Sequence, residues 1–205
     1  MVELTSDQRR EHHRRTLDAP TRSYGLDARM IFLLEDLVWG TSRTLSKFKA
    51  REFVARSPYQ AWARVHTSTQ LDEEERDNEV SHWRVLRELI SEDEGRDDPV
   101  RFGLLPAVGA AAMYVFTLVQ HTVDRNRSYR LNADIEDHAE HEYALLVAEH
   151  PEWEERAYTA AVAEYGDYES RADVLRQISC DEGAHKERSL KRLRSTGGRR
   201  APRAT

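Results

Sequence analysis

Two segments of this 205-residue chain set a carboxylate and an imidazole three positions apart: Glu79-Val80-Ser81-His82 and Glu182-Gly183-Ala184-His185. On a helix, residues three apart share a face, so each pair offers one oxygen and one nitrogen ligand to the same metal ion. Alone, the pattern says little. With 22 glutamates and nine histidines in the chain, about one such pair arises by chance.

The order of the surrounding glutamates says more. Glu35 precedes the first pair and Glu136 precedes the second, each by some tens of residues. One Glu from each of two helices, with Glu-x-x-His from each of two others, is the ligand set of di-iron and di-manganese carboxylate bundles. Glu35 sits among Leu33, Leu34, Leu37 and Val38, and a carboxylate buried there without a cation costs several kcal/mol. The expected metal ligands are therefore Glu35, Glu79, His82, Glu136, Glu182 and His185. Hard carboxylate oxygens mixed with imidazole suit two iron ions, with manganese as the alternative. Cys180 is the only cysteine, so neither a disulfide nor a thiolate-rich zinc site can form.

Helices must position these residues. An apolar segment around Ile31 to Trp39 reads as a helix continuing through Phe48 and Phe53, and Ser57-Pro58-Tyr59-Gln60 reads as the start of the next. That helix runs to about Ile90, with Trp62, Val65, Val80, Trp83 and Leu86 on its apolar stripe, and the acidic loop Ser91 to Asp98 ends it. Leu104 to Val119 is the most apolar stretch, short for a membrane span, and reads as a buried core helix or as one lying at a membrane interface or dimer contact. After Asp124 a helix carries Ile135 to Ala148 and stops before Pro151. Gly166 interrupts the next piece, and Ser170 with Asp173 opens the last helix. No alternation of apolar residues marks a strand, so the fold class is all-α: a ferritin-like four-helix bundle with accessory helices. Its boundaries are a polar arm over 1–23, the bundle over 24–193 and an Arg-rich tail over 194–205, expected to be disordered.

Tyr143 lies two turns beyond Glu136 on the same face, either as a core tyrosine or as a phenol beside the metals. His138 and His141 could form a separate site or lie on the surface. The net charge of −6, with Arg and Lys scattered among acidic residues, argues against nucleic acid as a partner. Met1 to Pro20 lacks the apolar run of a signal peptide, which places the expected protein in the cytoplasm.

These motifs resemble those of the alternative oxidases, the cyanide-resistant quinol oxidases that include the plastid terminal oxidase. The family reads LET, NERMHL, LEEEAVHTY and ADEAHH. Here stand Leu34-Glu35-Asp36, Asn78-Glu79-Val80-Ser81-His82-Trp83, Ile135-Glu136-Asp137-His138-Ala139-Glu140-His141-Glu142-Tyr143 and Cys180-Asp181-Glu182-Gly183-Ala184-His185. The resemblance spans Ile31 to Arg188. It implies all six ligands, Tyr143 as the catalytic tyrosine, and Asn78 and Asp181 as supporting site residues. It further implies a quinol substrate, reduction of O2 to water, a homodimer, and peripheral contact with the inner face of the cell membrane. Asp36, His138 and Glu142 depart from the family pattern near its quinol pocket, and the chain is polar, with a mean hydropathy of −0.77. Two alternatives follow: a di-iron oxygenase or N-oxygenase acting on a soluble metabolite, and a non-enzymatic ferritin-like iron-binding protein.

Overall fold

Gly40 divides what the hydropathy pattern presents as one helix. Its φ of +90° is a left-handed conformation that a side chain would strain, and its N–H closes the preceding helix on the Asp36 carbonyl. The computed structural model describes residues 4–65, 70–93, 98–159 and 165–197. Among them are α1 (Ser6–Asp18), α2 (Leu26–Trp39), α3 (Leu45–Val65), α4 (Gln70–Asp93), α5 (Leu105–Val123), α6 (Arg125–Glu149) and α7 (Arg171–Gly197), with a π-helical turn at Val100–Leu104 and a 3-10 turn at Pro151–Glu154. The described residues are helical and contain no strand beyond a single Ala157–Ser170 bridge.

Several boundaries follow the local chemistry. Asp124 caps α6 by accepting from the N–H groups of Asn126 and Arg127. Pro151 follows the end of α6, and the Ser170 hydroxyl accepts from the Asp173 N–H at the start of α7. Pro58 does not start a helix. It lies inside α3, which is already helical from Leu45, and a proline in mid-helix removes one backbone hydrogen bond that the packing around it must offset. The polar arm is largely helical as well: Thr5 and Gln8 form a capping box, and α1 docks on α7 through a buried Arg9–Asp173 ion pair. Of the tail, Arg194 to Gly197 prolongs α7, and the remainder lies outside the described residues, as does part of the acidic loop after Ser91.

The helices α3, α4, α6 and α7 enclose the protein's interior. Phe48, Val85, Leu86, Leu89, Leu146, Leu175 and Ile178 form an apolar core among them. Polar ties link the helices pairwise: Trp62 donates to Ser128, Asn132 to Ser189, and Arg192 pairs with Asp72 and Glu75.

The apolar residues of α2 and α5 face outward. Leu33 and Leu37 are 61% and 78% exposed, Leu26, Met30 and Leu34 share their stripe, and Glu35 lies on the opposite, inward side. On α5, Val108, Val115, Val119 and Val123 are exposed, while Thr117, Gln120 and His121 face the protein. The reading of Leu104 to Val119 as a core helix is thus overturned. The stretch Val100–Val123 is long and apolar enough to cross a membrane by length and composition, yet its inward face carries the polar residues that hold it against the rest of the molecule.

Candidate metal centre

Six side chains from four helices converge in the interior, each at most 2% exposed: Glu52 from α3, Glu79 and His82 from α4, Glu136 from α6, and Glu182 and His185 from α7. Their ligand atoms form two overlapping groups that could hold metal, Glu52–Glu79–His82–Glu182 and Glu79–Glu136–Glu182–His185. Glu79 and Glu182 belong to both. His82 Nδ1 lies 3.0 Å from Glu182 and 3.3 Å from Glu52, and His185 Nδ1 lies 3.0 Å from Glu79.

The donor set fits a cation. Both oxygens of Glu79, one each of Glu136 and Glu182, and His185 Nδ1 are buried and make no well-directed hydrogen bond, although His185 lies close to Glu79 and His82 close to Glu182. Among the described residues, no Lys or Arg nitrogen pairs with any of the four carboxylates. Burial, reinforced by the Glu182 and Glu52 charges, holds the Glu79 carboxyl well above the ordinary range, and burial with the Glu182 and Glu79 charges does the same to Glu136. Burial also works against charge on Glu182 and on His82. It is outweighed at Glu182 by His185 and His82, which hold the carboxyl low, and at His82 by Asp181, Glu182 and Glu52, which hold the imidazole high. Protons thus occupy a cluster whose chemistry suits a polyvalent cation.

Five of the six ligands expected from sequence meet here. Glu35 does not: its carboxylate accepts from Arg51 Nε and Nη2 at 2.9 and 2.5 Å, with Lys47 Nζ at 3.9 Å. It is buried and does have a counter-cation, but that cation is a guanidinium. Glu52 takes the place assigned to it. A sequence signal existed, because Phe48, Glu52, Tyr59 and Trp62 recur at helical spacing on the buried face of α3.

A second layer orients the cluster. The Tyr143 hydroxyl donates to Glu52 Oε1 at 2.5 Å, while its ring packs within the apolar core. Asp181 lies 3.3 Å from His82 Nε2, the outer nitrogen of an imidazole whose Nδ1 faces the cluster, and it also accepts from Tyr165 and Gln177. Tyr59 donates to Glu136 at 2.6 Å, and Asn132 donates to the same oxygen. Tyr165, Asn132 and Gln177 escaped the sequence reading, since none stands within a motif, and the sequence reads Tyr59 only as part of a helix start. Asn78 lines a small polar pocket beside Asp181 and His185.

His138 belongs to no metal-capable group among the described residues, whereas His141 forms one with Asp137 and Glu140. His138 stacks on Phe32 at 3.9 Å, and burial pushes its pKa down to about 2, which keeps it neutral. His141 neighbours Asp137 and Glu140, but Lys186 already bridges those two carboxylates. Cys180 is buried, and burial pushes its thiol up to about 12, which removes it as a nucleophile.

An apolar pocket of about 710 Å³ lies between α2, α3, α5 and α6. Leu34, Val38, Val108, Met113 and Phe116 supply apolar wall, and Glu35, Arg51, Asn132 and His138 are among its polar lining. Through Asn132 it adjoins Glu136.

Fold and site together define a class, an all-helical protein with a buried carboxylate–imidazole cluster that could hold metal. No protein-family model matches the chain, and no curated protein matches it.

Proposed function

We propose that the six side chains bind two iron ions within a ferritin-like four-helix bundle of α3, α4, α6 and α7. The protein then acts as a quinol oxidase that reduces O2 to water. The observation that carries this reading is an apolar pocket, bounded by two helices with outward apolar stripes, that lies one residue from the buried cluster: Asn132 lines the pocket and donates to Glu136. A substrate dissolved in lipid meets such a pocket without crossing water. The stripes of α2 and α5 fit a protein resting in the plane of a membrane interface.

The ligand order, Glu then Glu-x-x-His twice over, still resembles that of the alternative oxidases, with Glu52 in place of Glu35 at its head. Ferrous ions held there would supply the electrons that O2, inert toward most electron-pair donors, accepts slowly from a quinol alone. Glu52 and His82 would hold one ion and Glu136 and His185 the other, with Glu79 and Glu182 available to both. Asp181 orients His82, and Tyr143 holds a proton against Glu52 that it can give up as the reaction develops charge. In the pocket, Arg51 Nη1 is buried without a partner. Its charge is already balanced by Glu35, and His138 is neutral, so the donor suits a neutral oxygen such as that of a quinol over a carboxylate.

Iron-loaded protein in liposomes is expected to consume O2 on addition of a quinol, in the presence of cyanide, with labelled oxygen appearing in water. Absence of quinol-dependent uptake across short- and long-chain quinols refutes the oxidase. Label in an organic product makes the protein an oxygenase.

A further inference from the structure

A second pocket lies beside the centre. Between α4 and α7, a pocket of about 130 Å³, room for several water molecules, reaches the ligand His185 and its neighbour Asp181. None of its lining residues borders the apolar pocket. Its polar wall is Glu74, Asn78, Gln177, Asp181 and Arg188.

Gln177 makes this more than an acidic recess. Its side chain is 1% exposed, its Nε2 donates to Asp181, and its Oε1 is buried with no partner. A buried acceptor left without a donor carries a desolvation cost, which a bound cation or a cation's hydration water would offset. Arg188 is the one cationic side chain lining the pocket, and its guanidinium reaches Glu75 at 3.6 Å.

We propose that this pocket admits hydrated divalent metal ions to the centre, with Gln177 Oε1 and the Asp181 and Glu74 carboxylates as transit ligands. Metal ions arrive hydrated, and stripping that water in one step is costly. Oxygen donors set along a path exchange it stepwise. The carboxylates lining the apolar pocket are already paired, Glu35 with Arg51 and Asp27 with Arg127, so a cation entering there would bear the cost of burying its charge. The protein therefore has a water-side route for ions and a lipid-side route for its organic substrate.

The inference rests on the metal centre proposed above, and one experiment separates the two. Metal-free protein is mixed with Co(II), and loading is followed by the visible absorption of the bound ion. Wild type is expected to take up two ions per chain. Ala184→Phe, placed at the exposed rim of the pocket, is expected to load about tenfold more slowly to the same endpoint. Gln177→Leu, similar in volume, is expected to slow loading severalfold while retaining the wild-type circular dichroism. Val108→Trp, which narrows the apolar pocket, is expected to load at the wild-type rate. Wild-type rates in both Ala184→Phe and Gln177→Leu, or equal slowing in Val108→Trp, overturn the route. A wild-type protein that binds no Co(II) overturns the centre itself.

Discussion

Glu35→Gln and Glu52→Gln are expected to have opposite consequences. Both glutamates are buried on neighbouring helices, but one is half of an ion pair and the other belongs to the cluster. Removing the Glu35 charge leaves Arg51 buried without compensation, since Glu35 supplies two of its hydrogen bonds. Breaking such a buried pair costs about 3–5 kcal/mol. For a chain of this size that lowers Tm by something on the order of 10 °C. The ligand set is untouched, so metal content should stay at two ions per chain. In Glu52→Gln, amide replaces carboxylate, and one of four crowded carboxyl groups disappears. Stability of the metal-free protein should hold or rise, while metal content falls to one ion or fewer. Calorimetry of the metal-free proteins and metal analysis after anaerobic Fe(II) loading measure both quantities. The double variant Glu35→Gln/Arg51→Leu should recover most of the lost stability, because it removes both charges together. If Glu35→Gln loses metal while remaining folded, and Glu52→Gln retains two ions, the assignment of Glu52 as ligand is wrong.

The cluster's protonation sets a pH dependence. Folded-state pKa values of Glu79, Glu136 and His82 lie above their ordinary values of 4.5 and 6.5, so the stability they contribute is complete below those values and is lost as pH rises through the folded ones. Glu182 has the opposite sign and loses its contribution as pH falls. Metal-free protein should therefore melt at lower temperature as pH is raised above neutrality, and metal affinity should rise over the same range as protons are displaced; calorimetric titrations showing no proton release would contradict this. Gly183→Ala should cost about 1–3 kcal/mol in urea unfolding, because its Cβ would lie 2.9 Å from Glu140 Oε1, which His12 and Thr16 hold in place while Lys186 holds the other oxygen of the same carboxylate. An unchanged midpoint would show that Glu140 can move aside. Leu33→Ser/Leu37→Ser should weaken sedimentation with liposomes by at least about tenfold and leave Tm unaltered, since both side chains are already exposed. Equal liposome binding would remove α2 from the membrane face.

The sequence by itself determined what depends on neighbours along the helix. The pairs Glu79/His82 and Glu182/His185 were legible because a spacing of three puts two side chains on one face whatever lies around them. The ends of α6 and the start of α7 were legible because Asp124, Pro151 and Ser170 act on the backbone beside them. Only the tertiary structure decided what each face meets. The leucines around Glu35 suggested a core, but an apolar stripe has the same periodicity whether it faces the interior or lies outside, and here it is outside. Gly40 then frees α3 to turn Glu52 inward, a break that hydropathy does not reveal because apolar residues continue on both sides. Tyr59 reaches Glu136 across 77 positions, and Asp181 meets His82 across 99. No local rule encodes such separations, because the energy that fixes them comes from packing whole helices against one another.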